Sequence, residues 1–190
     1  MTEFCFEDHP FWEFSLRVYG NEGVPIACLA LQERHAIDVN MLLFCAWIGE
    51  SGRGLLSEAD LESALVATMA WNRDIVCSLR AVRNQLKGGL PTIPKERSET
   101  LRKMILDIEV KCEHVEQMSL AAAVVRLADS TTAAKQRSKD AVINIMAYFR
   151  RHGFSPDSED AMQVATVLDP AFPGLGRVEL EESLLKEATA

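Results

Sequence analysis

The chain has 190 residues, 48% of them hydrophobic, so it can bury the core of one domain and is too apolar to stay disordered. Its formal net charge of −8 and pI near 5.1 argue against a general nucleic-acid coat, which needs excess Lys and Arg to displace counterions. Aromatic residues make up 7%, and the Ala, Leu, Val, Met and Glu content favours helix over sheet, so an all-α fold is expected.

Residues 1–9 form a short acidic and aromatic lead, with Asp8 as the expected cap of a first helix from Pro10 to Tyr19. The turn Gly20-Asn21-Glu22-Gly23 ends it, and a second apolar helix runs from Ile26 to Arg34. His35-Ala36-Ile37 then turns a tight corner into the stretch Asp38–Ile48. This stretch is apolar on every side after Asn40 but too short to span a bilayer. A helix without a polar face must be covered by protein, which makes it the expected centre of the core. Asp38 suits its N-cap, and Asn40 needs partners if buried.

Ser57 opens a long helix, Glu58 to about Lys87, with Asp60 near the capping-box position and Trp71-Asn72 as a candidate bend. Its second half carries Ile75, Leu79, Val82 and Leu86 at steps of four, three and four. Gly88-Gly89, Pro91 and Pro94 break the chain. The next helix, from Lys95 to about Ala128, repeats the spacing through Leu101, Ile105, Ile108, Cys112, Val115, Ser119 and Ala122. Two such helices joined by a short loop predict a long antiparallel hairpin. A further helix, Thr132 to about His152, stops at Gly153. About six helices thus form a domain over residues 1–153. Residues 154–190, with eight acids against two bases, read as an acidic linker and a short helical tail that could fold back on the basic helix before it.

The N-terminal third carries a specific pattern. Phe11-Trp12-Glu13-Phe14-Ser15-Leu16, Val18-Tyr19, Gly23-Val24, Ala27-Cys28-Leu29 and Leu31-Gln32 precede Asp38-Val39-Asn40 and Leu42-Leu43-Phe44-Cys45-Ala46-Trp47. In order and spacing over roughly residues 10–50, the chain resembles a conserved hypothetical family of proteobacterial proteins, a domain of unknown function. The likeness continues loosely to about Gly153. It implies a cytoplasmic bacterial protein with no established activity, and it transfers no functional residue.

Five widely spaced cysteines, Cys5, Cys28, Cys45, Cys77 and Cys112, lack any Cys-x-x-Cys, and the N-terminus lacks a secretory signal pattern. Free thiols in a reducing cytoplasm are therefore expected. No cofactor is implied, and no metal site, since Glu113-His114 and Glu116 supply no Glu-x-x-His pair. No Gly-x-Ser-x-Gly occurs either.

The one polar constellation is Gln32, His35, Asp38 and Asn40 around the corner. As a ligand pocket, it would have Asp38 orienting His35, with Gln32 and Asn40 giving directional hydrogen bonds and Trp12 or Trp47 forming a wall. The more ordinary arrangement is a corner that satisfies itself, with Asp38 capping, Asn40 bonded to backbone and His35 exposed. Arg73, Arg80, Arg83 and Lys87, and separately Lys135, Arg137, Lys139, Arg150 and Arg151, read as solvated faces balanced by nearby acids. The expected function is that of a non-enzymatic interaction or adaptor protein, associating with a protein partner or with itself through the hairpin. The alternative is a small-ligand-binding protein or enzyme using the Gln32–Asn40 corner. Nucleic acid and membrane are not expected partners.

Overall fold

Apolar α3, Val39–Glu50, sits at the centre, with Met41 to Gly49 all buried. Asp38 caps it by accepting from the Asn40 N–H at 2.8 Å. The computed structural model describes residues 4–89 and 91–189, so the lead is seen from Phe4 and the C-terminal segment to Thr189. Its regular secondary structure is helical, with no strand among the described residues.

Two helices precede the centre. In α1, Pro10–Tyr19, Pro10 takes the first helical position, but His9 rather than Asp8 caps it, its Nδ1 accepting from Phe11 N–H at 3.1 Å. After α2, Val24–His35, the corner puts Ala36 at a φ of 55°, in the left-handed region that β-carbon-bearing residues avoid.

Ser57 and Asp60 form a reciprocal capping box for α4, Glu58–Trp71. A π-helical turn, Asn72–Val76, interrupts the rod directly after Trp71, and α5, Cys77–Gln85, continues it. After the Gly/Pro turn comes α6, Lys95–Ala123. Pairing partners run in opposite orders along the two: Ser98 Oγ donates to the Leu86 carbonyl, Arg83 reaches Glu109, Arg80 reaches Glu113, and Asn72 reaches Glu116. No residue of α5 is buried, so α5 and the first half of α6 form an arm beside the body.

The chief neighbour of α3 is α7, Ala134–His152. The two backbones meet at Gly49, where an added Cβ would lie 2.2 Å from the Ala141 nitrogen. Acidity after Gly153 suggests an appendage beyond the domain, yet the core continues through α8, Ser158–Leu168, and α9, Arg177–Ala188. Ala161, Val164, Ala165, Leu168, Leu180 and Leu184 are buried in the same cluster as α3. The apolar stripe within the acidic segment overrides its net charge, because burial follows the face and not the sum. Helix α8 packs on α2, and α9 packs on α7 and α8, with an exposed ion pair to α7, Lys135–Glu179, at its edge.

Candidate functional site

The polar corner opens on a cavity of about 250 Å³ between α1, α2, α3, α5 and α6. Trp12, Gln32, Asp38 and Asn40 line it, so four of the six residues singled out in sequence meet at one place. The other two do not. His35 faces α8, with Nε2 2.8 Å from Asp160 Oδ1 and its ring stacked on Phe154 at 3.9 Å. Trp47 stacks on Phe11 deep in the core and carries the Arg53 guanidinium over its ring at 4.0 Å. Asp38 therefore does not orient His35, because Asp160, from far along the chain, has taken that role.

The polar partners of the corner come from α6, α5 and the π-helical turn before it. Asn40 Nδ2 donates to Glu116 Oε2 at 2.7 Å, and Asn40 Oδ1 accepts from Gln117 Nε2 at 2.9 Å. Asn72 Nδ2 also donates to Glu116 Oε2, at 3.3 Å. Asn40 is thus satisfied by side chains and not by backbone. The Asp38 backbone N–H donates to Tyr148 Oη at 2.9 Å, which ties the corner to α7. Above this layer, Arg80 donates to Gln32 Oε1 at 2.6 Å, Glu109 at 3.1 Å and Glu113 at 2.9 Å, and Arg83 donates to both oxygens of Glu109.

Burial sets the protonation of this cluster. Glu116 is fully buried, and its pKa is pushed up to about 9, by desolvation first and then by the negative charge of Asp38. Asp38 is also raised by burial, against the hydrogen bond it receives from Glu116 and that from the Asn40 N–H. Burial beside the Asp38 charge thus favours the protonated form of Glu116, whose Oε1 is buried without a hydrogen-bond partner. Desolvation raises Glu113 as well, opposed by Arg80. Burial works against the Arg80 charge, but Glu113 and Glu109 more than offset it, and the Arg80 pKa rises.

Tyr148, Glu109 and Gln117 do not stand out in sequence, and Glu113 and Glu116 enter there only as metal-ligand candidates. The signal was present: they recur at helical spacing along α6, a polar stripe running beside the apolar seam. In the fold the stripe turns inward. The seam lies roughly a third of a turn round the helix and is left largely outside. Val82, Leu101, Met104 and Ile108 are each between 45 and 58% exposed, while Leu79, Leu86, Ile105 and Cys112 are half-buried. The basic side chains assigned to a solvated face divide accordingly, with Arg80 and Arg83 inside and Arg73 outside on Asp74. Among the described residues no group of three or more metal-ligating side chains forms.

These features define an all-helical domain in which α1, α2, α3, α5 and α6 enclose a charged cavity. Residues 10–120 match the family model DUF2390, described as a protein of unknown function, and the chain belongs to that family. The matched span contains every residue that lines the cavity, from Trp12 to Gln117. No curated protein and no solved structure matches the chain.

Proposed function

We propose that this is a non-enzymatic helical interaction protein, and that the antiparallel α5–α6 hairpin is the part that associates, in the first place with a second copy of the chain. The observation that carries this reading is the exposed seam. Leu101, Met104 and Ile108 on α6 and Val82 on α5 stay exposed at helical spacing on the arm. A contiguous apolar stripe of this kind marks an interaction surface in a soluble protein. The arm has no buried residue on α5, so its own packing gives little reason for the stripe.

A cytoplasmic setting in a bacterium belongs to the same proposal. Its support is the set of five free cysteines, of which Cys28 and Cys45 are buried. Among the described residues no helix is long and apolar enough to cross a membrane.

Light-scattering mass across a concentration series tests the association. The expected result is a species heavier than the 21.1 kDa chain that returns to the monomer mass in a Val82→Glu, Ile108→Glu double variant. A chain that stays monomeric at every concentration would sink self-association, and so would an oligomer that ignores the double variant.

A further inference from the structure

The exposed seam of α6 has a centre. Met104 and Cys112 lie four residues to either side of Ile108, and Leu101 and Val115 lie seven. Steps of three and four keep all five on one face of the helix. Cys112 is half-buried, and the other four are each 36–58% exposed. Reversed end for end about Ile108, the row falls on itself. A two-fold axis at Ile108 therefore pairs it with an antiparallel copy, Leu101 against the partner's Val115 and Met104 against the partner's Cys112.

The charges beside the seam agree with this register. Asp107 and Lys111, ion-paired at 2.6 Å on one flank, straddle Ile108 with opposite sign. In the antiparallel pair each lies about 3 Å along the axis from the partner's opposite charge, whereas a parallel pair would set like beside like. The two ends of the seam also differ in sign. Residues 86–104 at the arm tip carry five bases and two acids, in a chain of net charge −8. The other end is bordered by the lead, where Glu7 and Asp8 are exposed. Antiparallel docking brings each basic tip to the partner's acidic end.

Shape completes the match. A groove of about 340 Å³ opens at the acidic end, between Phe4 of the lead and Val115, Met118 and Ala122 of α6. The partner's Leu101 lies level with Val115 at its mouth. Resting on the self-association proposed above, we propose that the dimer is isologous and antiparallel. Its two α6 helices meet at Ile108, and the arm tip of each chain seats in the groove between the partner's lead and the partner's α6. Tip and groove on one chain are thus each used once, and the assembly closes at two copies.

Cysteine cross-linking of the full chain with copper phenanthroline in air reads the register, with light-scattering mass measured alongside. The background is Cys5→Ser with Cys77→Ser, which removes the two exposed thiols. It should not cross-link, because the two Cys112 stand eight residues out of register, about 12 Å along the axis, and a disulfide needs α-carbons within about 7 Å. The same spacing forbids a link between position 104 and Cys112 within one chain. Adding Met104→Cys should give at least about tenfold more covalent dimer than the background, linked from position 104 of one chain to Cys112 of the other. Ile108→Cys with Cys112→Ser should cross-link at position 108, on the axis itself. A chain that is dimeric by mass but joins Cys112 to the partner's Cys112, or fails to form either engineered link, would overturn this geometry and leave self-association standing. Monomers throughout would overturn both.

Discussion

Asn40 on α3 and Glu116 on α6 are joined by a 2.7 Å hydrogen bond at the centre of the bundle, and Gln117 completes the chain at 2.9 Å. All three side chains are more than nine-tenths buried. Removing one member leaves the others without partners in a low-dielectric site, where a stranded polar group costs more than the net worth of the bond. Asn40→Leu, with the same heavy-atom branching and no polar atoms, should therefore destabilise the fold by about 3 kcal/mol. Urea unfolding of the variant and the parent checks this. A loss below about 1 kcal/mol would mean that water relays into the network.

Stability should fall as the solution becomes alkaline, because Glu116 keeps its proton in the fold. Its folded pKa is near 9 against an ordinary 4.5, so between those values the folded chain holds a proton that the unfolded chain lacks. The contribution is fully present below the unfolded value and is lost as pH rises, at a limiting slope of about 1.4 kcal/mol per pH unit. Asp38 and Glu113, also raised by burial, act with the same sign. Asp60 and Asp129, whose pKa values are lowered, act oppositely only in the acid range below their ordinary 3.8, and His9, lowered by burial, opposes the fall only up to about its ordinary 6.5. Melting temperature should thus drop between about pH 5 and pH 8, and Glu116→Gln, which mimics the protonated acid, should flatten the drop. An unchanged slope in that variant would refute the assignment.

Gly49 allows α3 and α7 to touch. A methyl group there would sit 2.2 Å from the nitrogen and 2.5 Å from the Cα of Ala141, both backbone atoms that cannot swing aside. Gly49→Ala should separate the two most extensively packed helices and destabilise by about 3 kcal/mol. Gly176→Ala, with open space around it and an ordinary φ of −67°, is the control and should cost no more than about 1 kcal/mol, the difference between Gly and Ala at an N-cap. Denaturant titration of the pair decides; equal stabilities would contradict the close approach.

Thiol chemistry should divide the cysteines by burial. Desolvation pushes Cys28 up to about 12 and raises Cys45 as well, while Cys5 and Cys77 are exposed. A thiol-reactive disulfide reagent at neutral pH should label Cys5 and Cys77 first and reach Cys28 and Cys45 only on unfolding. Mass mapping that finds Cys45 labelled early would show the core open.

How far the fold could be read from sequence depended on whether a signal was local. Helix α3 was legible because its apolar residues surround it, and the caps at Asp38 and Ser57 were legible because their partners lie two or three residues away. The orientation of α6 was not. Its apolar seam and its Glu109–Gln117 stripe have the same period, and periodicity does not say which turns inward. The choice rests on Arg80 and Arg83, which can neutralise the acids only once the chain has doubled back. His35 was misplaced for a similar reason, since Asp160 reaches it across 125 residues of chain. Of the corner, Gln32, Asp38, Asn40 and Trp12 met as a group, while the carboxylates opposite them lay outside any local pattern.

Helix α9 should be held by burial and not by charge. Opposite net charges on α7 and the last segment invite a salt-dependent contact, but the ion pair at that contact, Lys135–Glu179, is exposed on both sides and worth little in water. Leu180 and Leu184 are each at most 2% exposed. Leu184→Ala should cost about 2–4 kcal/mol, and Lys135→Ala less than about 1 kcal/mol. The first loss should be the same at low and high salt, because apolar burial is not screened. Truncation after Gly153 removes the whole α8–α9 layer and should abolish a cooperative thermal transition. Thermal melts of the two point variants at both salt concentrations provide the check. A Leu184→Ala penalty that shrinks with salt, or a Lys135→Ala penalty of equal size, would show that charge holds the layer in place.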